Sequence, residues 1–306
     1  MTERSGAQTY NEVTKMIRFA ILGTENSHAL AFANLLKEEK YAELQLVGIY
    51  GYDLADPNMT ANEEIAEVIP GVEIADRPDA FLGKVDAVVI TARHGTHHYA
   101  YAMPYIKAGL PCFIDKPFTI EEAHAREMID AAKASGALLC GGSCLKFAPE
   151  LEPLKAALAS GEENQGPLIS ASFTAPVIMD TPYGDFFFYS QHLIAMMLTV
   201  FGYRVKSVYA VKRENSVTAI IRYPETDITI HYGSWEYGAS LFFERKHLHT
   251  QVAVTGALFD DELMEFLTMV KTKTMPESYE ELIYPVTLLQ AINTSMNEGR
   301  EVVIQK

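Results

Sequence analysis

The chain has 306 residues, a formal net charge of −15, 48% apolar and 21% charged residues. That length allows two domains with sizeable cores, and the acidic balance excludes nucleic acid and anionic membranes as main partners, since both demand basic patches. The three cysteines, Cys112, Cys140 and Cys144, are an odd set in apolar segments, so they read as buried thiols of a reducing, cytoplasmic protein and not as a disulfide framework or a metal site.

Residues 1–15 are polar and carry no apolar signal-peptide core; they read as a flexible leader. From Ile17 to about Gly141 apolar runs alternate with helical patterns. Ile17–Leu22, Leu44–Tyr50, Val85–Thr91, Leu110–Asp115 and Ala137–Cys140 have the length and composition of buried strands. Between them, Ser27–Glu39, Asn62–Ile69 and His97–Ala108 read as helices. A capping-box spacing at Thr119–Glu122 opens another, running to Ser135. The alternation predicts a parallel doubly wound sheet.

After Gly142 the pattern changes. A helix near Pro149–Ser160, a strand at Leu168–Thr174 and an aromatic-rich helix from Phe186 to Val200 precede five closely spaced strand patterns: Val205–Lys212, Val217–Tyr223, Asp227–Trp235, Ala239–Glu244 and Thr250–Val254. Short links and β-branched alternation predict a mostly antiparallel sheet. Helices at Asp260–Lys271 and within Glu280–Asn297, the latter started or kinked at Pro285, and a strand at Glu301–Ile304 close the chain. The expected organisation is a leader (1–15), a doubly wound domain (16–141) and an α/β domain with a large open sheet (142–306).

Chemistry concentrates first at Asp115-Lys116-Pro117. A charged pair stopped by proline at the carboxyl end of a buried strand is poor core material, and ligands of open α/β sheets bind at those ends. A lysine desolvated there has a lowered pKa suited to proton transfer.

Gly23 at the end of the first strand, Asp86-Ala-Val-Val-Ile90, Asp115-Lys116-Pro117, Phe147-Ala-Pro149 and His192-Leu-Ile stand in an order that resembles the Gfo/Idh/MocA family of NAD(P)-dependent oxidoreductases. The resemblance runs from Ile17 to the end. It implies a Rossmann domain followed by a substrate domain whose open sheet makes dimers or tetramers. It also implies a nicotinamide cofactor, weakly preferred as NAD over NADP because no Arg or Lys follows the second strand closely. The substrate implied is a sugar, inositol or polyol-like alcohol.

In the family the first turn, Gly23-Thr24-Glu25-Asn26-Ser27-His28, would hold the pyrophosphate. Here Glu25 stands for the second glycine and His28 for the third. Asp53, two residues beyond the usual position, is the candidate for the adenosine ribose. Thr91, Ala92, Arg93 and His97, with Asp115 and Lys116, would line the nicotinamide end. His94 and His98 read as surface residues, with no Asp, Glu or Cys nearby to complete a metal site. The family's Asp-x-x-x-His motif keeps its histidine as His192, but Phe188 replaces the aspartate. Asp185 lies seven residues before His192, about two turns or roughly 10 Å along a helix. Tyr189 is the better same-face neighbour for orienting the imidazole. The catalytic candidates are therefore Lys116, His192, Tyr189 and Asp185. Lys146 is read as a substrate contact or an exposed helix-start cation, and Trp235 and Tyr237 as oligomer contacts. The activity implied is hydride transfer to or from a nicotinamide. A catalytically silent sugar- or nucleotide-binding relative, or net non-redox sugar chemistry with a tightly held NAD, stand beside it.

Overall fold

A computed structural model of the chain describes residues 16–51, 62–161 and 165–304; Asp53 and the leader lie outside them. The N-terminal sheet contains β1 (Ile17–Leu22), β2 (Leu44–Tyr50), β3 (Glu73–Ile74), β4 (Ala87–Ile90), β5 (Cys112–Asp115) and β6 (Leu139–Gly142). All six are parallel, in the order β3-β2-β1-β4-β5-β6. Its central strands read as unbroken apolar runs because both faces are covered.

Helices α1 (Ser27–Leu35), α2 (Asn62–Val68), α3 (Gly95–Lys107) and α4 (Glu122–Ser135) make the crossovers. Two helices from the end of the chain, α7 (Gly256–Thr272) and α8 (Tyr279–Glu298), return to this sheet. Leu263 and Phe266 of α7 pack with Phe19, Phe32 and Phe113 on one face. On the other face Leu282, Ile283 and Val286 of α8 pack with Ile90, Ile114 and Met128. The strand order reverses between β1 and β4, so a crevice opens at their carboxyl ends.

The second sheet holds β7 (Leu168–Ala175), β8 (Ser207–Arg213), β9 (Ser216–Arg222), β10 (Asp227–Tyr232), β11 (Tyr237–Phe243), β12 (His247–Val252) and β13 (Val302–Val303), in the order β12-β11-β7-β10-β9-β8-β13. Only β7 and β10 pair in parallel; the other neighbours are antiparallel. One face buries Val208, Ala210, Ala219, Ile221, Ile228 and Ile230 against α5 (Glu152–Ala159), α6 (Phe187–Phe201) and the second half of α8. Helix α6 is buried along most of its length, as expected for a helix apolar all round.

Several boundaries differ from the sequence reading. Strand β3 has two exposed residues, too few to carry a period. Helix α4 starts at Glu122, and Thr119 Oγ1 accepts the Glu121 amide at 3.3 Å instead of forming a capping box. The capping box is in α8, where Ser278 and Glu281 exchange bonds at 3.2 and 3.0 Å. That cap and the anchoring of Leu282 and Ile283 start the helix six residues before Pro285, which sits inside it. Pro285 removes only the bond to the Glu281 carbonyl.

Candidate active site

The first turn is set by two close approaches. Gly23 has φ +101°, and a Cβ there would lie 2.2 Å from the Ala92 amide nitrogen. Only glycine lets the end of β1 touch the end of β4 this way. Thr91 Oγ1 donates to the Gly23 carbonyl at 2.9 Å. Thr24 packs on Gly51 and hydrogen-bonds Asn62. Glu25 turns inward: its carboxylate accepts the Arg93 amide at 3.2 Å and is 1% exposed. Asn26 caps α1, accepting the His28 amide at 3.4 Å.

At the end of β5, Asp115 is fully buried. One carboxylate oxygen takes His28 Nδ1 at 2.6 Å and Asn26 Nδ2 at 3.3 Å; the other accepts the Lys116 amide at 2.7 Å. Burial alone would raise its pKa, but His28 and Lys116 outweigh it and hold the carboxyl below its usual range. Lys116 is 5% exposed. Its Nζ lies 4.7 Å from the Phe188 ring centre and 5.7 Å from that of Tyr189. Burial lowers the ammonium's pKa, and Asp115 opposes that only in part. His98 is fully buried, not a surface residue. The helix start turns it inward, where its ring nitrogens lie 2.7 Å from the Pro117 carbonyl and 2.6 Å from that of Ala92, clamping the ends of β4 and β5 together.

From the other domain, α6 contributes two consecutive side chains. Gln191 Oε1 accepts the Phe118 amide at 3.1 Å. His192 Nδ1 pairs with Ser143 Oγ at 2.6 Å, and that oxygen also accepts the Leu145 amide at 3.2 Å. Burial, reinforced by Lys116 and His28, depresses the imidazole's pKa well below its usual range, so it is neutral at neutral pH.

A cavity of about 680 Å³ joins these groups. Asn26, Ser27, His28, Arg93, Lys116, Tyr189 and His192 all line it. The amine from the rim of the parallel sheet and the imidazole from the neighbouring domain thus share one space. Gly23, Thr24, Glu25, Thr91, Ala92 and Asp115 form the buried support beneath.

Not every candidate gathers here. His97 stacks on Tyr101 with ring centres 5.6 Å apart. Asp185 accepts the Thr181 amide at 2.9 Å and lines a separate cavity with His94 and Thr181, so the structure does not bring it to His192. Tyr189 lies over Lys116, and the imidazole is held by Ser143 instead. Lys146 is neither exposed nor in the cleft; Glu265 and Glu277 hold its ammonium at 2.9 and 3.2 Å. Trp235 and Tyr237, expected at an oligomer contact, line the cavity. Ser143, Gln191 and His98 were missed by sequence reasoning. Only Ser143 left a signal, as a polar residue immediately after a strand end.

The profile of the oxidoreductase family with the NAD-binding Rossmann fold, Gfo/Idh/MocA, matches residues 17–142. Residues 17–142 thus match the NAD-binding Rossmann domain of the Gfo/Idh/MocA family. It is similar to the UDP-N-acetylglucosamine 3-dehydrogenase of Acidithiobacillus ferrooxidans, 30% identical over 153 residues, 48% of this chain and 47% of that protein. It is also 35% identical over 72 residues to the inositol 2-dehydrogenase of Cereibacter sphaeroides, covering 24% of this chain and 21% of the relative. The chain therefore spans about half or less of the length of these curated relatives. The crystal structure of GenD2 from gentamicin A biosynthesis, in complex with NAD, superposes over 100% of both chains with a TM-score of 0.79 at 15% identity. At that identity the likeness concerns the fold.

The residues present fit a family dinucleotide in two respects. The capped N-terminus of α1 opens on the cleft, a position suited to a pyrophosphate. The Glu25 carboxylate is turned into the protein and does not line the cavity. The residues that would meet the adenosine ribose, around Asp53, lie outside the described ones.

Proposed function

We propose that the protein is an NAD(P)-dependent dehydrogenase acting on a secondary alcohol of a sugar, inositol or related polyol. The observation that carries this reading is the convergence of Lys116 and His192 on one cavity that also reaches the N-terminus of α1. Asn26, Ser27 and His28 would receive the pyrophosphate, and Arg93 with Asp115 would border the nicotinamide end. When bound, the nicotinamide supplies the acceptor for the hydride that leaves the alcohol carbon. The hydroxyl proton passes to the neutral amine of Lys116, whose lowered pKa suits it to this role, and the C–OH becomes C=O. His192, neutral and fixed by Ser143, orients the hydroxyl. Tyr189 and Phe188 pack over the amine and exclude water from it.

NAD is preferred over NADP in this reading, because no Arg or Lys follows β2 closely. A cytoplasmic location is supported by three buried free thiols. Pairing through the second sheet is supported by Tyr209, Val211 and Phe242, exposed on its outer face. Calorimetric titration with NAD and with NADP, followed by absorbance of reduced nicotinamide with inositols and sugars, tests the proposal. Binding of NAD and reduction by at least one such alcohol is expected; no binding of either dinucleotide at millimolar concentration would refute it.

A further inference from the structure

The cavity wall opposite Lys116 comes from the ends of the second sheet. Pro176, Val177 and Ile178 follow β7, residues 233–236 join β10 to β11, and Val254 follows β12. These loops are fastened to one another. The Gly233 and Ser234 amides both donate to the Ala175 carbonyl, at 3.0 and 3.2 Å, and the Glu236 amide donates to Ser234 Oγ at 3.1 Å. From this fixed loop Trp235 stands at the cavity with 97% of its surface in water, and Ile178 (40%) and Val254 (48%) are exposed on the same lining.

An indole exposed on a hydrogen-bonded loop, at the mouth of a site whose wall also holds Ile178 and Val254, offers an open face to a flat ligand. On the same wall Pro176, Val177, Ile178 and Val254 are apolar, and the polar side-chain groups are those of Asn215, Ser234, Tyr237 and the Trp235 indole. A bare polyol would leave hydroxyls against Pro176, Val177 and Ile178 without hydrogen bonds, which is unfavourable. A nucleoside diphosphate arm fares no better: among the described lining residues the Lys and Arg cations are Lys116 and Arg93, and the Arg93 guanidinium lies 4.7 Å over the Tyr183 ring.

We infer that the substrate is a glycoside or cyclitol ether whose reacting ring sits at Lys116 and His192 while a flat apolar substituent lies on Trp235. This rests on the dehydrogenase reading for the reacting ring, and adds the class of group attached to it. Trp235 is also the single tryptophan of the chain, so the emission of the whole protein reports on this position.

The test titrates the full chain, with NAD present, using phenyl and methyl β-glycosides of glucose, galactose and N-acetylglucosamine. UDP-N-acetylglucosamine is included for comparison. For at least one sugar the phenyl glycoside is expected to quench and blue-shift the emission, with a Kd at least tenfold below that of its methyl counterpart. In Trp235→Ala, followed by calorimetry, that tenfold gap closes, and Trp235→Phe restores most of it; circular dichroism and the thermal midpoint check that both variants fold. The inference is overturned by phenyl and methyl glycosides binding alike, by no binding across the panel, by tighter binding of the UDP-sugar, or by a preference that survives in Trp235→Ala. An emission shift that follows protein concentration alone would also overturn it, by placing Trp235 between copies of the chain. Aryl preference without any reduction of NAD would instead leave the aryl position on Trp235 standing and refute the dehydrogenase reading, and with it the reacting ring.

Discussion

Ser143 Oγ lies 2.6 Å from His192 Nδ1, and both residues are buried. Ser143 follows β6 of the parallel sheet and His192 rides on α6, so this hydrogen bond, like that from the Phe118 amide to Gln191, ties α6 to the parallel sheet. Because Ser143 Oγ also accepts the Leu145 amide, the hydroxyl is held in place while it holds the ring.

Ser143→Ala is therefore expected to loosen the imidazole without removing it. Misplacement of a reacting group by about 1 Å costs on the order of a hundredfold, so kcat should fall by about that factor with KM changed little. Ser143→Thr keeps the hydroxyl and should recover most of the loss. Steady-state kinetics of the pair separates positioning from packing: a purely structural role would lower the thermal midpoint and leave kcat of the folded protein intact.

Lys116→Met should lower kcat by about 10²–10⁴-fold, the usual contribution of a positioned acid or base, with circular dichroism unchanged. The pH profile is the sharper readout. Burial lowers the Lys116 pKa, so the amine form appears below the ordinary lysine value of about 10.4. For alcohol oxidation kcat/KM should rise with pH through that lowered value and then level off. Lys116→Arg, which stays charged, should lose activity and the rising limb together; a limb that survives in this variant assigns the base elsewhere.

The parallel sheet was legible because each central strand is buried on both faces and writes itself as an apolar run, as in Val88-Val89-Ile90. Lys116 is marked in the sequence by its place at the end of an apolar strand and His192 by the resemblance to the family pattern; that both line one cavity is what the structure adds. The supporting contacts are not marked there, because they depend on which loops meet. Nothing in the sequence distance between Phe118 and Gln191 announces their hydrogen bond. Three histidines around residue 97 look alike in sequence, yet one helix turn buries His98 against two carbonyls while His94 caps α3 through the Thr96 amide. Tyr189 was assigned by helical spacing to His192, but α6 presents it to Lys116 across the cleft. Periodicity gives the face of a helix; it does not give what lies opposite.

Asp115→Asn tests the buried carboxylate through stability. Burial pushes the Asp115 pKa up, but His28 and Lys116 pull harder and leave it below the usual value. A carboxyl with a depressed folded-state pKa contributes stability that is present above its unfolded value of about 3.9. That contribution disappears as pH falls through the lower folded value. Removing one partner of a buried pair costs about 3–5 kcal/mol, so urea unfolding at pH 7 should show a loss of that order. The loss should shrink as pH falls below about 4, where the carboxyl of the unfolded chain takes up its proton, and disappear once the native carboxyl is protonated at its lower value. A difference that stays constant across that range would mean that folding leaves the carboxyl's pKa unshifted.

Gly23→Ala and Gly136→Ala separate steric conflict from backbone strain. Both glycines have positive φ, +101° and +77°, but a Cβ at Gly136 meets nothing within 4 Å, whereas at Gly23 it lies 2.2 Å from the Ala92 nitrogen. An alanine at Gly136 should cost about 1–2 kcal/mol, the price of a left-handed L-residue. At Gly23 the same strain is joined by a collision with backbone that cannot rotate away, so β1 and β4 must part. The loss there should exceed that at Gly136 by at least about 1 kcal/mol, within the range for overpacking. It should also reach the cleft: separating β1 from β4 tilts the N-terminus of α1 that would receive the pyrophosphate, so Gly23→Ala should weaken NAD binding measured by calorimetry while Gly136→Ala leaves it unchanged. Equal unfolding free energies for the two variants would mean that the Gly23–Ala92 contact relaxes without disturbing either strand.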